Sequence, residues 1–71
     1  MVERVHIKIR LLRLKKNYSQ EYMAYHLNIS QSYYAKIENN KSDLTIAIFC
    51  KICKILDVDI VSFFSDFNVK E

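Results

Sequence analysis

The chain has 71 residues, enough for one domain, since globular domains usually run to about 100–150 residues. Its 51% hydrophobic and 27% charged residues are too apolar for disorder. No uncharged run nears the roughly 18 residues of a membrane span, and two cysteines, Cys50 and Cys53, cannot staple a secreted scaffold. Met1 leads directly into charge rather than into a signal peptide, so a small cytoplasmic domain is expected. The charge is uneven. Residues 1–41 hold eight Lys/Arg against three acids, a surplus of five positive charges, whereas residues 42–71 hold three against five. That asymmetry favours one face meeting a polyanion.

Glycine and proline are both absent, which fits an all-α chain and argues against Gly-dependent hairpins. Breaks then fall to Asn and Asp, the other residues that tolerate a left-handed backbone: Asn17, Asn28, Asn39–Asn40 and Asp57. These divide the chain into five helices.

The first, over 2–16, places Val2, Val5, Ile9 and Leu12 on one face. A second apolar set, Ile7, Leu11 and Leu14, points to nearly the opposite side. The second helix opens at Ser19, a good N-cap, with Glu21 favourably near the positive end of the helix dipole. Met23, Ala24 and Leu27 form its apolar stripe. Only Ile29 and Ser30 separate Asn28 from the third helix, 31–38, which Ser30 caps and whose inward stripe is Tyr34 and Ile37. Two helices this short, joined so tightly, cross steeply as a helix-turn-helix, and Ala24 provides the small side chain the crossing needs. Thr45 or Asp43 caps a fourth helix running to Leu56, with Ile46, Phe49, Ile52, Cys53 and Leu56 inward. Asp59 caps a fifth, 60 to about 67, with Ile60, Phe63 and Phe64 inward.

The segments IRLLRLKKNYSQEYMAYHLNIS, QSYYAKIENNKSDLT and KICKILDVDIVSFF together resemble the phage repressor and Cro type of helix-turn-helix, the XRE-like family, over residues 9–64. Asn17, Asn40 and Asp57 stand where the family usually has glycine, and Leu44 where it often has proline. The resemblance implies a five-helix repressor-like domain over 1–71, with the helix-turn-helix at about 19–38 and helix 5 with the C-terminal tail at about 59–71. It implies a dimer binding double-stranded DNA, with the third helix in the major groove.

The chemistry of that helix agrees. Gln bonds an adenine edge, Lys reaches guanine or phosphate, and Ala or a Tyr ring touches a thymine methyl. The resemblance puts Gln31, Ser32, Tyr33 and Lys36 at base edges. Gln20, Ser30, Asn39 and Lys41 match phosphate-holding positions, Gln20 and Ser30 at helix starts where amides favour phosphate oxygens. Arg10 is either a phosphate contact or part of a solvated face. Arg13 and Glu38 match a family ion pair between helices 1 and 3.

Other features carry less. Cys50 and Cys53 form C-x-x-C inside a helix, without the four ligands of a zinc site, so core packing is expected and no metal or cofactor. Tyr18, Tyr22, Tyr25, Tyr33 and Tyr34 could stack single-stranded bases, but they lie on helices and a turn. His6 and His26 lack a nucleophile and an orienting group, so no enzyme is expected. Ile55, Val61 and Phe67 exceed one core's needs and mark a homodimer interface through helix 5. Ile7, Leu11 and Leu14 either extend it or seat a second protein, such as a toxin. The expected function is a sequence-specific transcriptional regulator, a repressor on a palindromic operator. Within that class it is a phage-type repressor, a restriction–modification controller protein or an antitoxin. The competing reading is a protein-interaction module that does not read DNA.

Overall fold

Four helices start where a side-chain oxygen accepts a hydrogen bond from the backbone three residues on. Ser19 Oγ takes the Tyr22 N–H at 2.9 Å, Ser30 Oγ the Tyr33 N–H at 3.0 Å, Thr45 Oγ1 the Ile48 N–H at 3.1 Å and Asp59 Oδ1 the Ser62 N–H at 2.7 Å. The computed structural model describes residues 2–65. They form α1 (Val2–Lys15), α2 (Gln20–Leu27), α3 (Gln31–Glu38), α4 (Ile46–Ile55) and α5 (Ile60–Phe64). Thr45, not Asp43, is the cap of α4. The part of the fifth helix expected beyond Ser65, including Phe67, lies outside the described residues.

The helices stop by a shared device. Asn17, Asn28, Asn40 and Asp57 all take positive φ, between 59° and 62°. At each, the following residue's N–H reaches back five positions: Tyr18 to Arg13, Ile29 to Ala24, Lys41 to Lys36 and Val58 to Cys53, at 2.8–3.1 Å. Each left-handed residue bonds back three. This is the Schellman pattern, built here without a single glycine. Asparagine tolerates the left-handed region better than other Cβ-bearing residues but not as well as glycine. Asn28→Gly should therefore gain about 0.5 kcal/mol, and Asn28→Val should lose more than about 1 kcal/mol, read as shifts in the urea midpoint.

The core joins Ile9 of α1, Met23, Ala24 and Leu27 of α2, Tyr34 and Ile37 of α3, Ile52, Cys53 and Leu56 of the fourth segment, and Phe63 of α5. Helix α2 packs on α3 and α4, α1 on α3, and α4 on α5. Ala24, almost fully buried, permits the close approach of α2 and α3. Phe49 and Phe63 meet edge to face at 5.0 Å, and Phe63 meets Phe64 at 5.1 Å. Lys8 Nζ donates to the Phe63 carbonyl at 2.6 Å and lies 5.1 Å from its ring centre, tying α1 to α5.

Two inward assignments are corrected. Ile46 is 80% exposed and Ile60 is also exposed. Each is the first residue of its helix, where the first turn projects past the core that the later turns cover. Periodicity gives the right face but not where along the helix the core begins.

Candidate nucleic-acid interface

Helix α3 turns Tyr34, Ile37 and Glu38 inward and leaves Gln31, Ser32 and Lys36 exposed, with Tyr33 and Ala35 half-buried. At 3.6 residues per turn, Ser32 and Lys36 point most directly away from the buried stripe. Tyr33 lies to one side of them, while Gln31, seven residues before Glu38, lies on the Glu38 side of the helix and is exposed as the first residue of α3. The segment expected to touch bases is thus uncovered.

What holds it is the carboxylate at its far end. Glu38 is fully buried, yet its two oxygens receive four hydrogen bonds. Arg13 Nε donates to Oε2 at 2.6 Å and a second guanidinium nitrogen to Oε1 at 3.1 Å. The Tyr34 hydroxyl donates to Oε2 at 2.5 Å, and Gln20 Nε2 to Oε1 at 3.1 Å. Arg13 also donates to the Tyr18 carbonyl at 2.8 Å. One side chain of α3 therefore fastens it to α1, to the α1–α2 turn and to the start of α2.

Burial alone would push the Glu38 carboxyl up; the hydrogen bonds from Arg13, Tyr34 and Gln20, with the Arg13 charge, outweigh it and hold it below the ordinary carboxylate value. The bond to Glu38 raises Arg13, and desolvation first, then Glu38, raises the Tyr34 phenol. The pair is ionised and the phenol neutral, the states in which every donor meets an acceptor.

The sequence-derived ion pair of Arg13 and Glu38 is present. The roles of Gln20 and Tyr34 in it were missed. Tyr34 precedes Glu38 by four residues, a spacing that puts both on one helix face and could have revealed the bond. Gln20 is 18 residues from Glu38, and local spacing gives no signal for it.

Around this centre, Ser30, Asn39 and Lys41 are exposed, and Gln20 and Arg10 are half-buried. Ser30 engages its hydroxyl in the cap, which leaves the first-turn amides of α3 at the edge of the base-facing surface. Lys41 follows the left-handed Asn40 and so projects beside the end of α3.

The tyrosines do not form an open platform. Tyr18 and Tyr22 stack on each other at 4.1 Å, which closes the faces between them, and Tyr22 meets His26 at 4.3 Å. Tyr34 is buried. Cys53 is buried in the core, and burial first raises its thiol, so it stays protonated; Cys50 is half-buried. Ile55 packs partly against the core, Val61 is 80% exposed, and Ile7, Leu11 and Leu14 are 41%, 59% and 53% exposed. No helix among the described residues is long and apolar enough to cross a membrane.

Comparison with known proteins adds to this geometry. The HTH_3 helix-turn-helix family matches residues 9–63. No curated protein matches the chain. Among solved structures, the chain is similar to the wild-type restriction–modification controller protein C.Esp1396I, with 38% identity and a TM-score of 0.82 over 90% of this chain and 82% of that one. The exposed face of α3, its anchoring through Glu38 and these matches together show that the chain belongs to the XRE-type helix-turn-helix family of DNA-binding transcriptional regulators.

Proposed function

We propose that the protein is a repressor that binds a palindromic operator as a homodimer and controls restriction–modification genes. The observation that carries this is the polar outer face of α3, held rigid from behind by the buried Glu38. Gln31, Ser32, Tyr33 and Lys36 meet base edges. Gln20, Ser30, Asn39, Lys41 and Arg10 meet phosphates and set the register. Gln20 donates one amide hydrogen to Glu38; its phosphate contact uses the second, so the same residue links helix anchoring to DNA position. The 38% identity to a controller protein over most of the chain supports the restriction–modification setting over that of an antitoxin. Bound operator excludes polymerase.

The dimer forms through the α5 end, where exposed Val61 and Ile60 border a groove with Cys50, Cys53 and Val58, next to Ile55. Phe67, which the sequence reading also assigns to this interface, lies outside the described residues. A two-fold axis there sets the two α3 helices about 34 Å apart, one turn of DNA. Sedimentation at tens of micromolar should give a dimer, and Val61→Asp should give a folded monomer. A wild-type monomer at that concentration overturns the interface. Duplexes selected from a random library should contain an inverted repeat with half-sites about 10 base pairs apart. Enrichment without symmetry contradicts the dimeric reading.

A further inference from the structure

A cavity of about 370 Å³ opens between α1, the end of α3, α4 and α5, and no residue assigned to bases or phosphates lines it. Small-ligand pockets run to roughly 300–1,000 Å³, so this one suits a compact molecule. Val5, Ile37, Leu44, Phe49 and Phe64 supply apolar walls, with the rings of Phe49 and Phe64 5.8 Å apart. Ile46, exposed at the start of α4, stands at the mouth and borders this apolar space.

Two polar groups in the lining lack partners. Nδ1 of the half-buried His6 is shielded from water and makes no hydrogen bond, alone in this among the described side chains. Buried polar atoms are nearly always paired, so the exception points to a missing partner. In a neutral imidazole, a buried N–H without an acceptor is rarer than a buried lone pair without a donor. Nδ1 therefore offers a lone pair, and turning the ring towards the cavity sacrifices no hydrogen bond. The second group is the exposed Asp43. Thr45, not Asp43, caps α4, and the Asp43 carboxylate meets no donor or cation among the described residues.

Charge then selects the ligand. No Lys or Arg lines the cavity, although the chain has eleven. An anion would meet Asp43 with nothing to offset it. A positively charged donor meets a carboxylate and an imidazole lone pair instead, while its apolar body displaces water from the phenylalanine rings.

We propose that this cavity binds a small organic cation, a primary amine on a single aromatic ring or branched aliphatic body, with its ammonium between Asp43 and His6. The occupant touches α1, α3, α4 and α5 at once. Its binding does not depend on α3 reading bases.

The test titrates phenethylamine into the isotope-labelled full chain at about pH 8, above the ordinary imidazole value of about 6.5. Phenethyl alcohol and hydrocinnamate serve as neutral and anionic counterparts. The amine should shift signals of Val5, His6, Leu44, Phe49 and Phe64, including the His6 Nδ1 resonance. It should bind at least about tenfold tighter than either counterpart, a preference that salt reduces. Asp43→Asn, at an exposed position outside every cap, should remove most of the preference for the amine over the alcohol. His6→Phe, which keeps a ring, should weaken the amine by about tenfold and leave the helical spectrum unchanged. Either variant binding the amine as tightly as the parent overturns the proposal. So does a counterpart that binds as well as the amine, no binding at millimolar concentration, or shifts centred away from the cavity. Magnetisation transfer from residues 66–71 to the cavity walls in the ligand-free chain would identify the chain itself as the occupant and equally overturn it.

Discussion

Glu38→Ala should be the most damaging single change at a site that touches no ligand, lowering stability by about 3–5 kcal/mol. The reason is not the lost attraction alone. Arg13 is nearly buried, and without Glu38 its guanidinium, the Tyr34 hydroxyl and the Gln20 amide all lose their acceptor together. A chain of this size has a total stability of roughly 4–10 kcal/mol, so most of it is at stake. At about 4–8 °C per kcal/mol, thermal melting should fall by at least 12 °C. Arg13→Ala should be nearly as severe, and the double variant much milder than the sum, because the second change removes a partner already stranded. A melting curve for Glu38→Ala that overlays the parent would show the network to be idle.

Acid should act on the same group. The folded Glu38 carboxyl lies below its unfolded value of about 4.3, so its stabilisation is complete above that value and disappears as pH falls through the depressed folded value. Stability measured between neutral pH and pH 2 should therefore drop on the acid side. The Glu38→Gln variant, already destabilised at neutral pH, should show a shallower drop.

The second large effect concerns DNA. Gln31→Ala combined with Lys36→Ala should leave a folded protein, because both side chains are exposed. Each good base contact is worth about 1–3 kcal/mol, so losing two should lower operator affinity by about 30-fold to about 20,000-fold. Binding to unrelated duplex should weaken far less, because phosphate contacts are shared by every sequence. Wild-type affinity should also fall steeply with salt as counterions are released. Operator binding that ignores the double change would favour a protein-interaction role over base reading.

Local signals carried most of the fold. Ser19, Ser30, Thr45 and Asp59 mark helix starts because a short side-chain oxygen before an apolar run has one good use there. With glycine missing, Asn17, Asn28, Asn40 and Asp57 were the residues able to take left-handed backbone cheaply, and all four do. The ion pair was legible only through family resemblance, since 25 residues separate Arg13 from Glu38. Beyond that reach, sequence was silent. The resemblance marks Gln20 as a phosphate contact at a helix start, and only packing of α2 against α3 brings it to the carboxylate. Nothing local in the sequence marks Lys8, which crosses to the Phe63 carbonyl 55 residues away. Ile46 and Ile60 lie on the correct helical faces and are exposed nonetheless, because depth along a helix depends on its neighbours.

The account rests on α3 presenting its outer side chains to a base-pair edge. Cross-saturation from a selected duplex to the isotope-labelled chain tests that contact directly. Signal should transfer to the amides of residues 31–36 and to the start of α2, and leave α4 and α5 untouched. Transfer confined to α4 and α5, or to the outer stripe of α1, would contradict it.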